Sequence, residues 1–382
     1  MRQAIAELPG SKIREVADAG LGRSDVLPFW FGESDEPTPA FVRDAAVRSL
    51  NDGETFYAHN LGLPELRAAI AAYTSTLHPA ISADRVAVTS SGVSALMLAM
   101  QALAGPGDEV VVVVPVWPNL AAQPAILGAS VKRFPLRVHG GAWWLDMPAL
   151  LEAVTPRTRV LVINAPNNPT GWTLTRDEQR AILAHCRVTG TWIVADEVYE
   201  RIYFGATACA PSFADVAEAH DRLVVAHSFS KSFLMTGWRL GWLVVPLELV
   251  PAIGKLIEFN TSCAPTFVQR AGLAAIDGAA EFVPGLVQRL KQCRDTLLPQ
   301  LAALPGVRVE TPEGGMYAFF RVDGQADSLE FAKHLVVEAG LGLAPGAAFG
   351  DEGEGWLRWC FASRDPERLT LGVERLRRHL RL

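Results

Sequence analysis

Residues 85–115 read RVAVTSSGVSALMLAMQALAGPGDEVVVVVP. Both ends are apolar runs rich in valine, and the middle spaces Leu and Met at helical intervals up to Gly105. Uninterrupted valines suit a strand covered on both faces, whereas a half-exposed strand would alternate apolar and polar residues. The stretch therefore predicts a buried strand, a helix closed by glycine, and a second buried strand. That is the unit of a parallel sheet wrapped by helices.

The rhythm continues outward. TRVLVINAP (158–166), TWIVADE (191–197), RLVVAHS (222–228) and RLGWLVV (239–245) read as further strands, with RDEQRAILAHCR (176–187) as a helix between the first two. Two long helical stretches are expected over roughly 247–303. Shorter strands follow at GVRVE (306–310), GMYAFFRV (315–322), GLGLAPG (340–346) and WLRWCFA (356–362), with helices near 327–339 and 366–381. The pattern predicts a large α/β domain with a mostly parallel sheet, residues 46–285, and a smaller α+β domain, residues 286–382. Residues 1–45 are expected to form an arm and to complete the smaller domain.

Composition bounds the function. The chain has 382 residues, 49% hydrophobic and 20% charged, which is ordinary for a protein that buries a large core. A net charge of -6 with dispersed Lys and Arg gives no footprint for nucleic acid. No apolar run approaches the roughly 18 residues of a membrane span, and MRQAIAELPGSKIREVADAG lacks the apolar core of a signal peptide. A cytoplasmic protein is expected, without membrane or nucleic-acid partners. Five cysteines without a CxxC pair, and eight histidines without ligand spacing, predict neither a disulfide framework nor a metal site.

Ligands of open α/β sheets bind at the carboxyl ends of the strands. Here those ends run into Ser91-Gly92, NNPTG (167–171), Asp196 with Tyr199, and SFSK (228–231). Singly, each has a plainer explanation as an N-cap, a turn or a surface residue. Their recurrence at successive strand ends points to one crevice. A helix start, the hydroxyls of Ser91, Ser228 and Ser230, and Arg239 suit a dianionic phosphate. Lys231 among them would have a lowered pKa and could attack an aldehyde. Asp196 could keep a pyridine nitrogen protonated, while Asn and Tyr side chains donate to a phenolic oxygen. Phosphate, aldehyde, pyridinium and phenolic oxygen together describe pyridoxal 5'-phosphate.

SFSKSFLMTGWRLGW, residues 228–242, resembles the S-x-S-K-x7-R-x-G block of the class I aspartate aminotransferase family, pyridoxal-phosphate enzymes of fold type I. The resemblance extends from GESDEPTPAFV (32–42) to WLRWCFASRD (356–365). It implies a seven-stranded-type sheet in the large domain, with Lys231 as the Schiff-base lysine and Arg239 on the cofactor phosphate. TSSGVSAL (89–96) is similar to the phosphate-binding turn, implying Ser91 and Gly92 there. PVWPN (115–119) implies Trp117 as the ring-stacking residue, and NAPNNPTG (164–171) implies Asn168 at the phenolic oxygen. ADEVY (195–199) implies Asp196 at the pyridine nitrogen and Tyr199 at the phenolic oxygen. FYAHNLGLPELRAAI (56–70) implies that Tyr57 reaches a neighbour's phosphate, hence a homodimer with shared sites. WLRWCFA implies that Arg358 binds the substrate α-carboxylate, with Gly32 and Asn168 beside it. The implied reaction is ping-pong transfer of an amino group from an L-amino acid to a 2-oxo acid.

Family members selective for dicarboxylic substrates carry a cation or hydroxyl after the Ser-Gly turn, or an arginine after the long helix. This chain has Val93 and Glu258 there. A neutral or aromatic donor is therefore expected, with Trp30, Phe31 and Trp172 as candidate apolar walls and Glu258 more simply an exposed helix residue. The alternative on the same residues is a carbon-sulfur β-lyase or a racemase, because the cofactor does not dictate which bond breaks. A cofactor-binding transcription regulator would need a DNA-binding module, and only about 30 residues precede Gly32. GDEGEG (350–355) reads as a flexible rim of the site, and His227 as packing behind it.

Overall fold

The computed structural model describes residues 1–381. Its centre is a seven-stranded sheet. In chain order the strands are β1 (Val86–Thr89), β2 (Glu109–Val114), β3 (Ser130–Pro135), β4 (Thr158–Asn164), β5 (Trp192–Asp196), β6 (Leu223–Ser228) and β7 (Gly241–Val244). In space they run β1-β7-β6-β5-β4-β2-β3. The valines of β2 are fully covered, because this strand lies inside the sheet with helices on both faces.

Strand β7 is antiparallel to both neighbours, pairing Gly241 with Thr89 on one side and Ser228 on the other. Its amino end therefore lies at the edge where the other strands have their carboxyl ends. That reversal brings Arg239, which precedes β7, to the same rim as Ser91 and Lys231.

Strand β3 and the hairpin of Arg137–His139 with Ala142–Trp144 are not evident in the sequence. SVKRFP carries two cations and lies at the sheet edge, where charge discourages pairing with another chain and dilutes the apolar signal of a strand. Residues 247–303 hold three helices rather than two, Val250–Thr261, Thr266–Asp277 and Ala279–Ala302. Ser262, at φ 60°, and Pro265 break the first junction. Gly278 breaks the second. The last of these helices runs through residues 285–286, where a domain limit was expected.

A four-stranded antiparallel sheet follows: β8 (Val307–Val309), β9 (Tyr317–Val322), β10 (Ala344–Pro345) and β11 (Trp356–Cys360), ordered β8-β9-β11-β10. GLGLAPG is split, since Leu341–Gly342 pairs instead with Leu27–Pro28, near the start of the chain. GDEGEG contains one short 3-10 turn, Asp351–Gly353, and Arg133 of β3 holds Glu352 in a bidentate pair, Nε to Oε1 at 3.0 Å. The expected flexible rim is thus an anchored turn. Among the described residues no helix is long and apolar enough to cross a membrane.

Candidate active site

The carboxyl edge of the large sheet opens into a cavity of about 690 Å³, closed from the other side by β9, β11 and residues 11–33. Gly32, Gly92, Trp117, Asn168, Asp196, Tyr199, Ser228, Ser230, Lys231, Arg239 and Arg358 all line it.

At one end is the start of helix Gly92–Leu103. The Ser94 amide goes to Ser91 Oγ at 3.0 Å and the Ala95 amide to the Ser91 carbonyl at 2.9 Å. The cap leaves the Gly92 and Val93 amides, both in cavity-lining residues, for a ligand. A Cβ on Gly92 would lie 2.9 Å from Ser228 Cβ, and one on Gly241 only 2.6 Å from the Gly92 nitrogen. Both approaches require glycine. Arg239, in the left-handed region at φ 56°, donates from Nη1 to the Thr236 carbonyl at 2.6 Å. A helix start, two serines and an arginine make an anion cradle of the size and charge of a phosphate.

At the centre, Lys231 Nζ donates to the Gly32 carbonyl at 2.6 Å. Burial lowers its pKa to about 8, so roughly a tenth is free amine at pH 7, far more than for a solvated lysine. The Asp196 carboxyl is pushed up to about 7 by burial, against the opposing effects of the Val198 amide and Lys231. A ring N–H⁺ brought against it would offset that desolvation and restore the carboxylate. Tyr199 is held well above its ordinary value by burial, and its hydroxyl lies 2.6 Å from that of Tyr317.

At the far end, Arg358 is fully buried. Its guanidinium carbon sits 4.4 Å from the ring centroid of Tyr317 and 4.9 Å from that of Phe349. Nη1 donates to Asn168 Oδ1 at 2.9 Å and Nη2 to the Trp30 carbonyl. Arg358 Nε has no partner. Arg358 nonetheless lines the cavity, and a guanidinium there suits a carboxylate. Because Asn168 Oδ1 is occupied by Arg358, the Asn168 amide nitrogen is the end free to donate.

Ser91, Trp30 and Trp172 depart from the expected site. Ser91 does not line the cavity, since its hydroxyl caps the helix; this position supplies the helix start rather than a side-chain ligand. Tyr57, expected to serve a neighbour's site rather than its own, is 88% exposed and lies outside the cavity of its own chain. Trp30 and Trp172 are buried in the core rather than in the cavity wall, with Trp30 lodged where Gly20 and Gly342 leave room. Only Phe31 of the three aromatics faces the cavity. Glu258 is exposed beside a separate surface depression with His59 and Phe259. His227 does pack behind the site, stacked on Trp242 at 4.9 Å.

Sequence reading missed Tyr317, which looks like an ordinary core residue of GMYAFF. It also missed a buried polar cluster beneath the site, where Glu197, Glu200 and His227 have ligand atoms within 4.8 Å of one another. Those groups are engaged within the protein: Glu197 with Ser212 and the Phe213 amide, and Glu200 with His78.

Residues 24–376 match the family described as aminotransferase class I and II. The chain is 33% identical over 374 residues to the aspartate aminotransferase of Pyrococcus horikoshii, covering 97% of this chain and 94% of that protein. The crystal structure of aspartate aminotransferase from Thermotoga maritima superposes with a TM-score of 0.91 at 34% identity over all of both chains. The aromatic aminotransferase of Pyrococcus horikoshii superposes with a TM-score of 0.88 at 29% identity, over 96% of this chain and 98% of that one. Phosphate cradle, lysine amine and buried carboxyl lie together at the edge of one sheet, and the sequence likeness runs through all of them. The chain belongs to the class I and II aminotransferases, enzymes that use pyridoxal phosphate to move amino groups between amino acids and 2-oxo acids.

Proposed function

We infer that this aminotransferase takes a neutral or aromatic L-amino acid as donor. The observation that carries the reading is the apolar part of the cavity lining: Ile13, Phe31, Val93, Leu96 and Val198. Unpaired carboxylate against such a wall would be desolvated without compensation. Bound in the site, pyridoxal phosphate supplies the electron sink that makes the donor's α-proton acidic.

The chain's own residues take the following parts. Gly92, Ser228, Ser230 and Arg239 hold the phosphate, and Trp117 stacks on the ring. Asp196 keeps the ring nitrogen protonated, while Asn168 and Tyr199 donate to the phenolic oxygen. Arg358, which lines the cavity, receives the α-carboxylate, with Gly32 beside it. Lys231, whose burial lowers its pKa and so favours the free amine, takes the α-proton and returns it as an acid one carbon away. A second copy of the chain completes each site with Tyr57. Support for that homodimer comes from the neighbouring exposed aromatics Phe56, Tyr57 and Phe259, all more than 80% exposed in the single chain. We also take the limits 1–45, 46–285 and 286–382 as the working domains.

One observation favours a different donor. Arg14 lines the cavity over Phe31, at 5.9 Å from the ring centroid, and among the described residues pairs with no carboxylate. It could receive the distal carboxylate of an acidic donor. A panel of L-amino acids without keto acid, followed by the cofactor's visible spectrum, separates the readings. The expected result is kcat/KM for phenylalanine or methionine at least about tenfold above that for aspartate, about 1.4 kcal/mol at the transition state. Preference for aspartate that disappears selectively in Arg14→Met would establish the acidic reading instead. Pyruvate formed with no acceptor present would indicate β-elimination.

A further inference from the structure

We propose that Tyr317 is a positioning residue that joins the substrate-carboxylate anchor to the hydroxyl of Tyr199. This rests on the assignment of Tyr199 to the cofactor's phenolic oxygen and of Arg358 to the carboxylate.

Three contacts converge on this side chain. Its ring carries the Arg358 guanidinium at 4.4 Å. Its hydroxyl lies 2.6 Å from that of Tyr199, and both phenols are buried. A Cβ placed on Gly32 would meet the same hydroxyl at 2.2 Å, so glycine at 32 is what leaves it room. The Gly32 carbonyl in turn holds Lys231 Nζ. Tyr317 lies on β9 of the small sheet, whereas Tyr199 follows β5 of the large one. The pair therefore spans the two sheets at the point where they meet the cavity.

The direction of its effect follows from hydrogen-bond polarity. When Tyr199 donates its proton to the cofactor oxygen, its own oxygen is free to accept from Tyr317. A phenol that accepts one hydrogen bond donates the next more strongly. Tyr317 thus strengthens the Tyr199 donation and stabilises negative charge on the phenolic oxygen, which makes it easier to lose the proton nearby that sets the visible colour.

The test is a pH titration of the visible absorption of the holoenzyme in wild type, Tyr317→Phe, Tyr199→Phe and the double variant. Tyr317→Phe keeps the ring under Arg358 and removes only the hydroxyl. Its midpoint is expected to move up by about 0.5 unit, and that of Tyr199→Phe by about 1 unit or more, the scale of one hydrogen bond. The double variant is expected to titrate like Tyr199→Phe alone. Tyr317→Leu, which also removes the ring, is expected to raise KM for the amino donor at least about tenfold, while Tyr317→Phe leaves KM within about twofold.

An unmoved midpoint in Tyr317→Phe, with Tyr199→Phe shifted, would overturn the proposal and leave the Tyr199 assignment standing. A Tyr317→Phe shift that persists undiminished in the Tyr199→Phe background would also overturn it, since the effect would not pass through Tyr199. If Tyr199→Phe itself leaves the midpoint in place, the cofactor assignment of Tyr199 falls and the proposal with it.

Discussion

Lys231 shows how a residue type becomes a reagent through its surroundings. Burial takes its pKa from the ordinary lysine value to about 8. Cofactor uptake by the apoprotein should therefore accelerate with pH and level off above about 8, as followed by stopped-flow absorbance. A plateau reached only near pH 10.5 would mean that the amine is solvated. The stability consequence has a definite sign. Folded Lys231 loses its proton before unfolded Lys231 does, so between about 8 and 10.5 the unfolded chain binds more protons and apoprotein stability rises with pH. That Lys231, Asp196, Asn168, Arg239 and Arg358 belong to one cavity was legible because each sits in a short motif, the first four at or just beside strand ends of the large sheet. Tyr317 was not legible, because a tyrosine in an apolar strand reads as packing until its hydroxyl partner from another strand is seen.

At the scale of elements, the site depends on how closely β7, β6 and the start of helix Gly92–Leu103 approach. A Cβ on Gly241 would meet the Gly92 nitrogen at 2.6 Å, the Ser91 carbonyl carbon at 2.7 Å and the His227 carbonyl at 2.8 Å. These are backbone atoms of paired elements and cannot swing aside. Gly241→Ala is expected to cost about 1–3 kcal/mol of stability and to weaken pyridoxal-phosphate binding at least about tenfold, measured by denaturant unfolding of the apoprotein and by fluorescence titration. Unchanged cofactor affinity would separate the phosphate cradle from this contact. Most strands of the sheet announce themselves as unbroken Val, Leu and Ile runs. The direction of β7 does not, because an antiparallel strand in a covered sheet has the same composition as a parallel one. Edge strand β3 was hidden for the opposite reason, its charged residues being acceptable only where one side of the strand is unpaired.

The whole molecule adds contacts between its two sheets. Arg133 on the edge of the large sheet grips Glu352 beside β11, and the Val116 amide donates to the Phe349 carbonyl at 3.2 Å. The Arg133 guanidinium holds the Glu352 carboxyl below the usual carboxylate range even though burial alone would raise it. With a folded pKa depressed, the stabilisation is present above the ordinary glutamate value and fades as pH falls through the folded one. Both groups are partly solvated, so Glu352→Gln is expected to cost only about 1 kcal/mol, checked by urea unfolding at neutral pH. The difference from wild type should shrink in acid; a difference that grows there would contradict this sign. For the proposed homodimer, Tyr57→Phe is expected to leave a mass of two chains in sedimentation while weakening pyridoxal-phosphate affinity about tenfold. A single-chain mass for the wild type would remove Tyr57 from the site altogether.

Periodicity by itself determined the sheet-and-helix architecture, and short motifs together with their likeness to a known family pointed to the cofactor and to candidate groups for it, since each motif is encoded in residues a few positions apart. Tertiary structure alone decided which candidates reach the cavity. It admitted Phe31 and turned Trp30 and Trp172 into the core, kept Glu258 on the surface, and brought Tyr317 against Tyr199 across 118 residues of chain. The physical reason is that a side chain's type fixes what it can do, whereas its direction depends on which face of its element is covered, and covering comes from segments far away in sequence.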